Sequence, residues 1–359
     1  MNELNGLLSI ARKEVIHIRR DFTTIIFALV IPMMQLMLFG FALDFDVRHV
    51  QTAIIDMDRS PDSRTYVASL RNTQYLDIAK YLDTPEQAEE QLRRGEIRVA
   101  VIVPPDFSRL KAAKQSAYVR VMIDGSDGQV ASPARNAFRR PPDSASGQDV
   151  EARVNVLYNP DLRTQVYTIP GLVGVILQMV TVSLTSFSLV REKEQGTLEQ
   201  LMVSPVGRLG IMIGKIAPYA ALAMFELLLV LTLARLVFNV QVSGSFVLLV
   251  SMSLPFILAA LSLGLLISAV AKTQGQALQM ALLTLLPSIL LSGYISPRET
   301  LPGPLWVLSN VLPVTHFIQI ARGIIVRGAG FTDVLPSMLN LCLITVLLIA
   351  LATSRFRKS

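Results

Sequence analysis

From Val166 to Val190 the chain carries no charged side chain at all. About 20 such residues in a helix cross the hydrocarbon layer of a bilayer, and an ordinary soluble core does not need an apolar helix this long. Comparable runs recur at Phe22–Leu43, Ile211–Phe238, Phe246–Val270, Ala277–Tyr294 and Leu335–Thr353. They predict a mainly α-helical polytopic membrane protein with six transmembrane helices, and a hydrophobic fraction of 52% agrees. The first run is longer than the roughly 7–15 apolar residues of a signal peptide, and no small-x-small cleavage site follows it, so it reads as a retained span.

Between the spans the character changes. Residues 44–165 are hydrophilic and alternate short strand-like runs (Thr52–Ile55, Val99–Val103, Tyr118–Ile123, Val154–Tyr158) with helical ones (Asp62–Arg71, Pro85–Arg94, Pro105–Ala113). That alternation predicts an inserted α/β domain, a small sheet covered by helices. Thr84 before Pro85 is a helix-start signature. Arg139–Gln148 is Pro/Ser/Gly-rich and reads as a loop. Residues 1–21 place Leu4, Leu7, Leu8, Ala11, Val15 and Ile18 at helical spacing beside Arg12, Lys13, Arg19 and Arg20, the pattern of an interfacial amphipathic helix. Residues 295–333 are broken by Pro297, Pro302, Pro304 and Pro313, and their apolar pieces suit short re-entrant helices between spans five and six. Residues 22–43 are then the first span and 166–354 the other five, with 355–359 a tail.

Basic residues choose the orientation. Arg12–Arg20, Arg191, Lys193, Arg208, Lys272 and the Arg355–Lys358 tail fall together, while the Asn239–Ser245 turn opposite has none. The positive-inside rule puts both termini in the cytoplasm, with Arg298, Arg322 and Arg327 as outer-side exceptions. The 44–165 domain is then extracytoplasmic (periplasmic), which long loops permit whatever their charge. The net charge of +6 is not clustered with aromatics, so nucleic acid is not a partner. A lone cysteine, Cys342, rules out an internal disulfide, and three scattered histidines give no metal site.

One segment stands apart. Residues 191–210 are dense in charge between two spans and must face water. Thr197 is placed to cap a short helix over Leu198–Val203 that Pro205 stops. Glu192, Glu194 and Glu199 alternate with Arg191 and Lys193 as a polar face for a soluble partner, with Leu198, Leu201 and Met202 turned to the spans. Arg191-Glu-Lys-Glu-x-Gly196-Thr-Leu-Glu-Gln-Leu201, then Pro205 and Gly214-Lys215, resembles the loop after the second span of the ABC-2 type of ABC-transporter permease. The resemblance runs end to end: NPDLR at Asn159–Arg163 and P-V-T-H-F at Pro313–Phe317 with Arg322 and Gly323 also fit. It is strongest to the multidrug and antibiotic efflux branch with an external α/β domain; residues 139–148 stand where relatives carry more helix.

The resemblance implies a half-transporter in the bacterial inner membrane. Its partners would be a second permease subunit, a cytoplasmic ATP-binding-cassette ATPase dimer, a periplasmic adaptor and membrane lipid. ATP-Mg would sit on the ATPase, with no cofactor or metal on this chain. ATPase contacts would come from the N-terminal helix and from Arg191, Glu192, Lys193, Glu194, Gly196, Thr197, Leu198, Glu199, Leu201 and Pro205. The cargo would be amphipathic: a drug, lipid or glycan.

Other readings compete. Gly210-Ile-Met-Ile-Gly214-Lys215-Ile216 lacks the spacing and the Ser/Thr of a phosphate loop and reads as a packing face. Asp56-Met-Asp58 resembles a phosphatase nucleophile but reads better as a turn cap. Glu226 lies in mid-span, where a carboxylate is costly; it is either a pathway residue or half of a structural pair with a side chain such as Gln178. A membrane-anchored scaffold or adaptor acting through the external α/β domain is the alternative function, and a membrane-anchored enzyme a third.

Overall fold

The computed structural model describes residues 3–42, 50–71, 76–113, 115–126, 134, 138, 150–159, 163–196, 208–295, 298 and 301–356. Helix α1 (Glu3–Arg20) is followed after Asp21 by α2 (Phe22–Ile25), a π-turn (Ile26–Val30) and α3 (Ile31–Ala42). The π-turn ends at Val30, directly before Ile31-Pro32, and Pro32 has no N–H to donate into the helical ladder. The Ile31 N–H reaches back five residues to the Ile26 carbonyl, so the run widens where a kink at Pro32 is expected.

The inserted unit is a five-stranded sheet in the order β2-β1-β3-β4-β5. Its strands are β1 (Val50–Asp56), β2 (Leu76–Tyr81), β3 (Val99–Val103), β4 (Tyr118–Asp124) and β5 (Glu151–Leu157). β1 pairs in parallel with β2 and β3, β3 with β4 antiparallel, and β4 with β5 in parallel. Side chains alternate faces along a strand, and the core divides accordingly. Ile54, Val99, Val101 and Val103 pack with Tyr66 and Leu70 of α4 (Pro61–Arg71) and Phe107 of α6 (Phe107–Ala112). Ala53, Ile55, Ala100 and Ile102 pack with Ala88 and Leu92 of α5 (Pro85–Arg94). Thr84 caps α5, its hydroxyl accepting from the Gln87 N–H at 3.4 Å. β2 has no counterpart in the sequence reading: it is an edge strand with only Leu76 buried, so its pattern carries little periodicity.

Among the described residues five helices are long and apolar enough to cross a membrane. These are α7 (Thr164–Glu194), α8 (Arg208–Phe238), α9 (Phe246–Val270), α10 (Gln274–Leu291) and α13 (Phe331–Phe356). Ile26–Gly40 is a shorter apolar helix. α7 is the hub. Of its most apolar window 83% is buried, against 17% in α10 and α13, and α3, α8, α9, α10 and α12 all pack on it. That explains a run free of charge from Val166 to Val190, since α7 meets protein on nearly every side.

The proline-broken region forms α11 (Gly303–Val311) and α12 (Pro313–Ile325), bent by 83°. α12 is buried along its whole length, and its Phe317 ring stacks on Phe256 of α9 at 4.3 Å. Buried Arg322 donates to the Gly293 carbonyl at 2.8 Å and lies over the Tyr167 ring. Asn159 and Arg163 brace the entry to α7: the Asn159 amide donates to the Arg163 carbonyl at 3.0 Å and accepts its N–H at 3.1 Å.

Candidate functional site

At the end of α7 four charges follow one another, Arg191-Glu192-Lys193-Glu194. Successive residues on a helix are about 100° apart, so four in a row point to four sides. Each side meets a different neighbour. Arg191 donates to Asp21 Oδ2 at 2.7 Å and lies 3.1 Å from His17 Nε2, at the joint between α1 and α2. Glu192 accepts from Lys13 Nζ of α1 at 2.7 Å and from Lys215 Nζ of α8. Lys193 donates to the Ser268 carbonyl in the last turn of α9. Glu194 accepts the backbone N–H of Gln274 at 3.0 Å and its amide at 2.7 Å, at the start of α10.

Lys215 also lies 3.5 Å from Glu14 Oε1, and Glu14 Oε2 accepts from the Tyr219 hydroxyl at 3.3 Å. Glu14, Glu192 and Lys215 are 2%, 8% and 4% exposed. With Lys13 they form a cluster of two cations and two carboxylates, the balance a buried charge group needs. Outside the spans, the hydrogen bond from Arg191 holds the Asp21 carboxyl down at about 2, against burial and with two further bonds from Thr24.

The sequence gives the face of α1 to Leu4, Leu7, Leu8, Ala11, Val15 and Ile18. The packed face instead runs through Gly6, Ile10 and Glu14, while Leu8 and Val15 are exposed. α1 lies on α8 where Gly214 leaves room: a Cβ there would meet Ile10 at 3.1 Å. This is the packing role expected of that glycine. Lys215 turns inward to the carboxylates. Glu14 was missed by sequence reasoning, although its place four residues from both Ile10 and Ile18 puts a carboxylate on an apolar stripe.

α7 stops at Glu194, and Gly196 just beyond its cap takes φ +68, a left-handed conformation that only glycine adopts cheaply. Thr197, Leu198, Glu199, Leu201 and Pro205, with the helix expected over Leu198–Val203, lie outside the described residues. The charges read as a face for a soluble partner are therefore, at 191–194, engaged by the chain's own helices.

In mid-bundle the structure separates the two polar residues that the sequence reading pairs. Gln178 donates to Ser288 Oγ of α10 at 2.8 Å. Glu226, 1% exposed, has no hydrogen-bond partner for either oxygen among the described residues. Asp56 serves its turn: Oδ1 accepts from the Arg59 N–H at 2.9 Å and Oδ2 from Ser63 Oγ at 2.7 Å. Asp58 accepts from Ser108 Oγ at 3.0 Å.

Comparison with known proteins identifies the family. The model of the family described as "ABC-2 family transporter protein" matches residues 20–353. An Escherichia coli (strain K12) protein named "Probable multidrug ABC transporter permease YbhR" is 29% identical over 361 residues, 98% of each chain. Its counterpart "Probable multidrug ABC transporter permease YbhS" is 29% identical over 331 residues, 88% of this chain and 87% of that one. The E. coli "Inner membrane transport permease YhhJ" is 30% identical over 325 residues, covering 86% and 85%. The chain belongs to the ABC-2 family of transporter proteins, as a membrane-embedded transport subunit.

Proposed function

We propose that this chain is the permease half of an ATP-driven exporter that moves an amphipathic molecule out of the cytoplasm or its inner leaflet. Two permease subunits form the pathway, and a separate ATPase dimer binds ATP-Mg in the cytoplasm. Six spans, counting the widened Phe22–Ala42 run and treating α11–α12 as re-entrant, keep both termini inside and the sheet on the periplasmic side. There a periplasmic adaptor would meet it.

The observation that carries this reading is the charge cluster at the end of α7. An ATPase that engages α1 and the 197–207 stretch would push on helices already locked together, since Glu192 ties α1 to α8 and Arg191, Lys193 and Glu194 tie α7 to three more places. Movement would then pass into the bundle as a rigid displacement instead of being absorbed in a loose loop. Gly196 supplies the break between the locked helix and the pushed segment. Glu226 on α8 would be the pathway residue, with Gln178 shaping the hub beside it.

The test is ATP hydrolysis by the reconstituted permease–ATPase complex, screened over drugs and lipid-linked glycans. In Glu194→Ala, whose ties are exposed, basal hydrolysis should persist while substrate stimulation falls about tenfold. Full stimulation in that variant, or a tagged permease that never co-purifies with a nucleotide-binding chain, would sink the proposal.

A further inference from the structure

Inside the bundle, several buried polar atoms without hydrogen bonds gather along one seam. α7 and α8 run in opposite directions: Arg163 donates to the Phe238 carbonyl at one end, and Glu192 meets Lys215 at the other. Near the cytoplasmic end, Ser188 of α7 and Tyr219 of α8 line the same cavity. Seven residues, about two turns, bring a helix back to the same face. That step away from the cytoplasm leads from Ser188 to Thr181 and from Tyr219 to Glu226, so these two stand on the α7–α8 seam at one level. α3 packs on both helices, and its Gln35 amide lies 3.3 Å from Met179 Sδ.

Four buried oxygens around this level have no hydrogen-bond partner among the described residues: Gln35 Oε1, Thr181 Oγ1 and both oxygens of Glu226. Amide and carboxylate oxygens only accept, so the seam lacks a donor. Glu226 is 1% exposed and bonds to no cation among the described residues. A buried carboxylate is costly until a positive charge meets it, and that makes a cation the fitting ligand.

The cavity supplies an approach. It holds about 60 Å³ between the π-turn, α7 and α8, with Phe27, Leu184, Phe187 and Tyr219 as walls and His17 and Arg191 at its cytoplasmic end. One water needs only ~10–15 Å³. Phe27 and Phe187 meet edge to face at 6.1 Å, and Asp21 answers the charge of Arg191. Aromatic faces attract organic cations. Leu184, the wall residue nearest mid-span on α7, lies about one turn short of Thr181.

We propose that Glu226 is the counter-ion for a lipophilic organic cation, which enters through this aromatic cavity and passes along the α7–α8 seam. The inference rests on the export reading and narrows its cargo to amphipathic molecules carrying a positive charge.

The test is fluorescence anisotropy of ethidium, an aromatic cation, with the purified full-length chain in detergent. Binding should saturate, and tetraphenylphosphonium should displace the dye while tetraphenylborate, of the same size and opposite charge, should not. Glu226→Gln keeps the shape and removes the charge, and should weaken ethidium about tenfold or more. Glu226→Asp should restore the preference for tetraphenylphosphonium. Ser188→Phe narrows the cavity without changing a charge; it should also weaken binding, and it keeps the test valid if Glu226→Gln does not fold. No saturable binding, equal displacement by both competitors, or wild-type affinity in folded Glu226→Gln or Ser188→Phe overturns the site. Ethidium binding by a chain that never co-purifies with an ATPase would fail the export reading alone. A complex stimulated by neutral amphiphiles, with no ethidium binding, would fail this inference alone.

Discussion

Two buried carboxylates in this bundle, Glu192 and Glu226, have opposite surroundings. Glu192 stands between Lys13 and Lys215, within a cluster whose charges cancel. Glu226 lies on the same helix as Lys215, three turns further along, with nothing to bond either oxygen among the described residues. A buried charge with partners on other helices holds those helices in register. One that bonds to no described residue holds no helices together, and burying it is a cost to the fold. The buried carboxylates of the bundle therefore fall into those that tie helices together and one, Glu226, that bonds to none of the described residues. The contrast can be broken by measuring stability and transport separately.

The largest effect should come from Lys215→Met. It removes the ammonium that Glu14 and Glu192 share and leaves the half-exposed Lys13 on Glu192. Breaking a buried ion pair from one side typically costs about 3–5 kcal/mol. Unfolding in a denaturing detergent titration should show a loss of that order, and adding Glu192→Gln should recover part of it. A midpoint unchanged by Lys215→Met would mean the cluster does not hold α1 to α8.

Glu226→Leu should act with the opposite sign. Replacing an unbonded buried polar group with an apolar one of similar length removes its desolvation cost, on the order of 1–3 kcal/mol. Stability should rise or stay level while stimulated ATP hydrolysis is lost. A destabilised variant would reveal a structural partner for Glu226 and erase the contrast with Glu192.

The third effect is smaller and depends on pH. Asp21 is held at about 2 by Arg191, below the ordinary 3.8, so its folded form is the better proton-rejecting one. A depressed carboxylate contributes stability that is present above its unfolded pKa and lost as pH falls from about 4 towards 2. Asp21 is only partly buried, its side chain 17% exposed, and solvent screening reduces the contribution to about 1 kcal/mol. Asp21→Asn should be less stable than the parent by that amount at neutral pH, and the two should converge near pH 2. A gap that persists at pH 2 would assign the loss to packing instead of charge.

How much of this was legible beforehand follows from how far each interaction reaches. The spans are visible because each is a local run of predominantly apolar residues. α5 is visible because Thr84, Pro85 and the closing glycine punctuate it within one short stretch. The π-turn is half visible, since Pro32 announces a disturbance but not its form. The charges at 191–194 mark the site, yet their partners do not show: Lys13 and Glu192 are 179 positions apart, and no local pattern says which of several bases meets which acid. Glu226 stands out for a related reason. A carboxylate in an apolar run is conspicuous alone, whereas its lack of a partner is a property of the whole bundle.

The smallest effect tests the boundary between the locked helix and the segment beyond it. Gly196 adopts φ +68, and a Cβ built there meets nothing within 4 Å. Alanine would therefore be opposed by backbone strain alone, about 1 kcal/mol, with asparagine costing less because it tolerates the left-handed region. If Gly196 merely ends α7, Gly196→Ala should shift the unfolding midpoint slightly and leave stimulated ATP hydrolysis in proportion to folded protein. If it is the break through which a push on residues 197–207 turns into movement of α7, stimulation should fall in Gly196→Ala and recover in Gly196→Asn at equal amounts of folded protein. The second pattern would extend the division drawn from Glu192 and Glu226 to the backbone: paired charges fix the helices, and the one left-handed residue beside them sets where the fixed part stops.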